Sequence, residues 1–446
     1  MNISEMSKLK PSLNTARRVN ELLASFYRKQ APREPGGQLA WCMAGVAPEI
    51  LYAFDLPSEW PEAFGSYCAS NGVSIGFMER AEAEGYSSDL CAYVRNSIGY
   101  SSRVREVGGI PPEAPKGGMG TPTMLLGTGV MCDPRIKWFQ MLSTQYLDNM
   151  PVFHSEPLSP PHDKDTSDPR VAEQYLDLLR HTVRDQIEFI AKQMGRPIDL
   201  ERLRNSLALA QEQTELSYEI HNLRAAVPCP MSSEDFFYAC VIPVMFMVGE
   251  PEVVNFMRSL RDEVRDRVAR GVGVVENERY RLLFMGIPPW YNLGFFNRLN
   301  ELGIVFPVDA TYYQGEPVEI DLSDPVEALV QRSWKRSETT RSMGAEIFPD
   351  NLMPCNMSFA GTRTMTSWVE KFKLDGVIQH RTRSCRAASW GQAHMKDLFT
   401  KMGLPCLTIE SDMGDPRSWN QSAIMGQVRG LLGAIDAGRK AGASAK

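Results

Sequence analysis

Thr123-Met124-Leu125-Leu126, followed after a short gap by Cys132-Asp133-Pro134, is the stretch on which the fold turns. The apolar run reads as a buried strand, and Asp-Pro behind it reads as an N-cap with proline at the first helical position. Strand, turn and helix in that order form the repeating unit of an α/β protein. Towards the N-terminus, Leu39-Ala40-Trp41-Cys42 is strand-like and Pro48 opens a short helix through Phe54. Val73-Ser74-Ile75 adds a further strand, Ser87-Ser88-Asp89 caps a helix entered at Cys91, and residues 13–30 predict a surface helix with Ser12 as its cap. Between 171 and 270 the spacing changes. Ala172, Tyr175, Leu179, Val183, Ile187, Ile190 and Met194 recur three or four apart, Asp199 caps a second helix through Leu223, and Glu252 to Arg270 supplies a third. Alternation then resumes. Strand 279–286 ends at Pro288-Pro289-Trp290-Tyr291, helix 293–302 leads to strand 304–308, and strand 376–380 precedes a helix from Ala388 to Met402. Strand 406–409 and a helix from Asn420 to Ala437 complete the set. The expected class is α/β. An N-terminal lobe (1–170) carries Cys91 and Cys132, a helical connector spans 171–275, a C-terminal lobe (276–437) carries Cys385, and 438–446 form a flexible tail.

The totals agree with a globular chain. At 446 residues, 43% hydrophobic and 23% charged, there is material for more than one core. A net charge of -6 offers no basic field for nucleic acid or for an acidic membrane surface, so neither partner is expected. Met1 to Lys8 contain no apolar core or cleavage site, which speaks against a secretory signal. The longest apolar run, Cys240 to Val248, is far short of a membrane span. Nine scattered cysteines, an odd number without scaffold spacings, predict reduced thiols in the cytoplasm.

Among motifs, no G-x-x-x-x-G-K-[ST] and no G-x-G-x-x-G follows a strand. Gly117-Gly118-Met119-Gly120 lies in the Pro/Gly-rich loop 108–123 with no helix behind it. ATP hydrolysis and dinucleotide chemistry are therefore not expected of this chain. No C-x-x-C pair and no H-E-x-x-H suggest zinc. The cysteines divide by context. Cys42, Cys240 and Cys406 sit in apolar runs as small core residues, and Cys68, Cys229 and Cys355 lie in less regular stretches. Cys91, Cys132 and Cys385 each stand at a predicted helix start, with Arg95, Arg135 and Arg386 close by. Helix starts and arginines both favour a thiolate and predict lowered thiol pKa values. Three such thiolates together would hold a metal or an iron–sulfur cluster, and two would form a redox pair. Their spacing is no compact cluster motif, so unrelated thiols stay equally open. Glu410-Ser411-Asp412 ends a strand before Asp415-Pro416-Arg417, and strand ends in open α/β sheets face ligands. Glu82 and Glu84 lead into the Cys91 helix, where a solvated face is the plain reading.

The segments around the three cysteines carry a resemblance. Ala81-Glu82-Ala83-Glu84-Gly85-Tyr86-Ser87-Ser88-Asp89-Leu90-Cys91-Ala92-Tyr93-Val94-Arg95 is similar to the first cysteine motif of the benzoyl-CoA reductase/2-hydroxyacyl-CoA dehydratase family. Met124 to Phe139 resembles the second, and Asp375 through Cys385 to Glu410-Ser411-Asp412 and Asp415-Pro416-Arg417 the third. The likeness covers nearly the whole chain and leans towards the larger iron–sulfur subunit of ATP-dependent (class I) benzoyl-CoA reductase. It implies two flavodoxin-like lobes and one [4Fe–4S] cluster ligated by Cys91, Cys132 and Cys385, the fourth iron left for water, hydroxide or substrate. It also implies electron transfer to the aromatic ring of benzoyl-CoA. The partners would be a homologous iron–sulfur subunit, an ATP-hydrolysing activator and ferredoxin as upstream donor. Glu82, Glu410 and Asp412 are candidates for proton handling. The neighbouring reading is a subunit of an (R)-2-hydroxyacyl-CoA dehydratase, and a third is an electron-relay subunit whose cluster never meets substrate. His380-Arg381-Thr382-Arg383 is more basic than the resemblance implies, so no role is carried onto it.

Overall fold

A computed structural model describes residues 9–30, 37–129, 132–155, 168–345, 362–389 and 391–444. Two separate four-stranded sheets, parallel throughout, are built from β1 (Ala40–Cys42), β2 (Ser58–Glu59), β3 (Met124–Thr128) and β4 (Val152–Ser155), and from β5 (Tyr280–Met285), β6 (Ile304–Asp309), β7 (Gly376–Thr382) and β8 (Cys406–Ser411). The orders are β2-β1-β3-β4 and β6-β5-β7-β8, one topology used twice. In each, the first strand pairs with the second on one side and the third on the other: Cys42 lies opposite Leu126, and Met285 opposite Gln379. Helices cover both faces, so β3, β5 and β6 are buried along their whole length and read as mainly apolar runs, with Arg281 in β5 and Asp309 at the end of β6 as buried charges. These are the two flavodoxin-like lobes expected from the sequence.

Both lobes turn the chain sharply after the first strand. Gly45 (φ +100°) and Gly286 (φ +105°) occupy the positive-φ region that glycine enters without a Cβ clash, and a Cβ on Gly286 would lie 2.4 Å from the His380 carbonyl. The long helices Pro169–Met194, Leu200–Leu223 and Pro251–Arg270 fill the middle of the chain. Asp199 caps the second, accepting from the amides of Glu201 and Arg202 at 3.0 Å.

Several local expectations are corrected. Val73-Ser74-Ile75 is no strand; Ser74–Ala83 is a helix whose Phe77, Met78 and Ala81 turn inward, so helical spacing prevails over a three-residue β-branched run. Ser12 does not cap the first helix. Its amide and hydroxyl both donate to Asp235 at 2.7 Å, and the segment 13–30 breaks at Arg18 into two helices with Leu13, Ala16, Val19, Leu23 and Phe26 buried. The edge strands β2 and β4 are too short, and too polar in composition, to carry a pattern. Helices Pro61–Ser70 and Pro325–Ala345 were also not expected, and the last helix, Gln421–Ser444, continues past Ala437. Cys355 lies outside the described residues. Among the described residues, no helix is long and apolar enough to cross a membrane.

Candidate functional site

Each of the three cysteines stands immediately before a helix: Cys91 before Ala92–Val107, Cys132 before Asp133 and Pro134–Tyr146, and Cys385 before Arg386–Ser389. Ser87-Ser88-Asp89 does not cap the first, whose N-cap is Cys91 itself, and the Asp133 side chain makes no capping bond. Cys132 and Cys385 follow the third strand of their lobes, β3 and β7, beside the switch point where ligands collect in open α/β sheets. Cys91 comes from the long β2–β3 connection. Its helix is drawn tightly onto helix Ser74–Ala83 because Gly99 bears no side chain: a Cβ there would meet the Phe77 carbonyl at 1.8 Å.

Each sulfur rests on the first-turn amides of its own helix. Tyr93 and Val94 donate to Cys91, Arg135 to Cys132, and Ala387 and Ala388 to Cys385, the last at 3.4 Å. The electrostatic expectation is nevertheless overturned. Burial raises all three thiols, Cys385 to about 12 and Cys91 well above its ordinary value, and these amides only moderate the rise. Removing a thiolate from water costs more than partial amide charges return. Of the three nearby arginines only Arg135 acts on its cysteine, Cys132. Arg95 is committed to Glu82 (2.5 Å) and Asp415 (3.2 Å), and Arg386 lies exposed, 3.7 Å from Asp133.

The same electrostatics brings the three together. The charge of Cys385 and of Cys132 pushes Cys91 further up, and Cys132 does so to Cys385. Among the described residues no trio of His, Cys, Asp or Glu closes round a single metal ion. Three thiols are a donor set that could hold an iron–sulfur cluster. The other described cysteines are Cys42, Cys68, Cys229 and Cys240, all buried in the core, and Cys406, half-buried at the start of β8.

The acidic residues take different places. Asp412, just past β8, is buried and accepts from the backbone amides of Ser384 (2.9 Å), Gly414 (3.0 Å) and Asp415 (3.1 Å), and its charge reaches Cys385. Glu82 is no solvated face residue. Arg417 grips it at 2.6 and 2.9 Å, Arg95 binds it from the side, and these partners hold its carboxyl below the ordinary range. Glu410 is half-exposed, between Arg381 (3.3 Å) and Arg383 (3.6 Å), and apart from the thiols.

Trp290 and Tyr291, at a strand end, read from the sequence as the wall of an aromatic pocket or as packing residues; what the sequence did not single out is Tyr93 and Tyr312 beside Trp290. Trp290 Nε1 donates to the Tyr93 hydroxyl at 2.6 Å across the lobes, and its ring stands 6.2 Å from that of Tyr312. Cys385 charge raises both tyrosines, though burial is the larger cause, so their rings border the thiols. Only the Pro-Pro-Trp strand end and the proximity of Tyr93 to Cys91 hinted at this. A buried chain also runs beside Asp412. His380 Nδ1 donates to the Ile287 carbonyl at 2.5 Å, a bond that only the protonated nitrogen can make, so Nε2 accepts from the Ser411 hydroxyl at 2.6 Å. Ser411 in turn accepts from Tyr291 at 3.3 Å, and burial lowers the His380 pKa. Gly72-Val73-Ser74-Ile75-Gly76 has the spacing of a hydrolase elbow, which needs an exposed serine after a strand. Here a helix precedes it, and Ser74 is buried with its hydroxyl donated to Gly414 O at 2.9 Å.

The family described as "2-hydroxyglutaryl-CoA dehydratase, D-component" matches residues 43–434. The (R)-2-hydroxyisocaproyl-CoA dehydratase alpha subunit of Clostridioides difficile is 24% identical, over 95% of this chain and 96% of its own length. The alpha subunit of lactoyl-CoA dehydratase from Anaerotignum propionicum is 23% identical over 96% and 98%. A benzoyl-CoA reductase subunit of Thauera aromatica is 24% identical over 95% of each chain. The chain belongs to the 2-hydroxyglutaryl-CoA dehydratase D-component family, whose members include subunits of dehydratases and reductases acting on CoA thioesters.

Proposed function

We propose, from this family membership, that the chain is the iron–sulfur subunit of an enzyme delivering single low-potential electrons to the acyl group of a CoA thioester, and specifically to the ring of benzoyl-CoA. What supports the reading is that Cys91, Cys132 and Cys385 come from two lobes and stand near enough for Cys132 and Cys385 to raise Cys91, and for Cys132 to raise Cys385. Their donor set fits one [4Fe–4S] cluster, which when bound would supply the electron and leave one iron open. The chain's own residues do the remainder. Burial withholds water from a reactive acyl radical. Metal charge replaces the proton on thiols that burial otherwise keeps neutral. Asp412 holds the turn that carries Cys385, while Glu82, fixed as an anion between arginines, serves as a clamp rather than a proton donor. Trp290, Tyr93 and Tyr312 offer rings against which an aromatic acyl group can stack. ATP hydrolysis is assigned to an activator partner fed by ferredoxin, and a homologous iron–sulfur subunit completes the assembly.

The second reading, an (R)-2-hydroxyacyl-CoA dehydratase subunit, is favoured by relatives of that name at equal identity. Reductant consumption separates the two. The assembled enzyme, given ATP, a strong reductant and benzoyl-CoA, is expected to consume reductant in step with product. Turnover of a 2-hydroxyacyl-CoA with only catalytic reductant would assign the dehydratase instead, and an acyl-CoA that leaves this subunit's cluster spectrum unchanged would point to a relay.

A further inference from the structure

Cys91 and Cys385 belong to different lobes, yet one small side chain joins the peptide after the first to the peptide before the second. The amide of Ala92, the first helical residue beyond Cys91, donates to Ser384 Oγ at 3.0 Å. Ser384 is itself held, its amide donating to Asp412 Oδ2 at 2.9 Å. Cys91 occupies the N-cap of helix Ala92–Val107, where its sulfur takes the Tyr93 and Val94 amides and leaves that of Ala92 to Ser384. Ser384 therefore satisfies, from the other lobe, the first free amide of the helix, one that an N-cap side chain at 91 does not take. The other oxygen of Asp412 collects the Gly414 and Asp415 amides at 3.0 and 3.1 Å, and Ser74 of the N-terminal lobe donates to the Gly414 carbonyl at 2.9 Å. Ser384 and Asp412 are 5% and 2% exposed, so water does not compete for these bonds.

We propose that Ser384, oriented by Asp412, is a positioning residue that sets the separation of Cys91 from Cys385 across the lobe boundary and thereby the shape of the cluster site. The inference rests on the cluster reading above. A ligand trio drawn from two bodies is only as rigid as the boundary between them, and a change in ligand placement alters both cluster retention and potential.

The test uses the full chain, assembled and purified without oxygen, as wild type, Ser384→Ala, Ser384→Thr and Asp412→Asn. Iron and sulfide content, the paramagnetic resonance spectrum of the reduced protein, its midpoint potential and the rate of iron loss to a chelator are measured. Ser384→Ala is expected to keep the wild-type far-ultraviolet dichroism, to lose iron to the chelator about tenfold faster, and to show an altered resonance spectrum and potential. Ser384→Thr, which retains the hydroxyl, restores all of these, and Asp412→Asn falls between. Wild-type spectrum, potential and iron loss in Ser384→Ala, with the cluster present, overturn the role of Ser384 and leave the cluster reading standing. A wild-type protein without iron or sulfide overturns the cluster reading, and the proposal with it. Should Ser384→Ala not fold, Ser384→Thr and Asp412→Asn decide: a threonine variant that matches wild type beside an asparagine variant that differs supports the role, and an asparagine variant identical to wild type overturns it.

Discussion

The two lobes share a strand order and a cysteine after the third strand, yet they do unequal work at their boundary. The N-terminal lobe contributes a second thiol, Cys91, from the long β2–β3 connection that carries helices Pro61–Ser70, Ser74–Ala83 and Ala92–Val107. The C-terminal lobe contributes a single thiol among the described residues and, past β8, the segment Asp412–Arg417 that reaches across to hold that connection. A duplicated sheet places two of the proposed cluster's corners by repetition. The third proposed corner, Cys91, has no counterpart in the repeat and depends on polar bonds between the lobes.

The most severe break of this comparison is to remove the corners themselves. Cys91→Ala, Cys132→Ala and Cys385→Ala are each expected to abolish cluster absorbance and activity together. If Cys91→Ala alone keeps the cluster, the third corner is not a ligand and the two strand-end thiols act as a pair. Next in size is the clamp. Arg95, 1% exposed, lies between Glu82 and Asp415, and Arg95→Ala leaves both carboxylates with Arg417 alone. Removing one partner from a buried ionic group is expected to lower unfolding stability by about 3 kcal/mol, read from denaturant midpoints at neutral pH. A loss within error would show that the lobes are held by packing instead.

Position in the chain was legible for the thiols because strand-to-helix turns are local: Pro134 at the helix start and the strand before it place Cys132 without any knowledge of the rest, although the Asp133 side chain makes no capping bond. The class and the doubled alternation were legible for the same reason. What the residues meet across the lobe boundary was not. Glu82 and Arg417 pair over a separation of 335 residues, and Ser384 and Ala92 over 292, and neither partner advertises the other. The sign of the thiol shifts was misjudged because burial, a property of the whole fold, outweighs the helix start and the arginine visible nearby. Likewise Val73-Ser74-Ile75 looked like a strand until the helical spacing of Phe77, Met78 and Ala81 was given its weight.

The clamp also has a pH signature. Arg417 foremost, with Arg95, holds Glu82 below its ordinary range, and Asp415 is likewise depressed, its bonds from Arg417 prevailing over burial. A carboxyl depressed in the folded protein contributes stability above its unfolded pKa and loses it as pH falls through the folded one. Glu82→Gln is therefore expected to be about 1 kcal/mol less stable than wild type at pH 7, with the two converging below about pH 4. A gap unchanged down to pH 3 would show that shape, not charge, makes the clamp.

Glu59 carries the opposite sign, far from the clamp on the edge strand β2. Burial raises it from 4.5 to about 8, although the Gly120 amide donates to it at 2.8 Å. A raised carboxyl contributes its stability below the unfolded value and loses it as pH climbs through the folded one, so the N-terminal lobe should weaken between about pH 5 and 8. Glu59→Gln keeps an oxygen for Gly120 and removes the titration. It is expected to melt level with wild type near pH 5 and about 2 °C or more above it at pH 9. Applied together, the two glutamine variants read the molecule from either side: Glu82→Gln narrows its gap to wild type in acid, where the boundary between lobes fails, and Glu59→Gln opens one in base, where the first lobe alone is under strain. A single coincident transition by every probe in both variants would mean that the lobes unfold as one unit and that the boundary has no separate stability to lose.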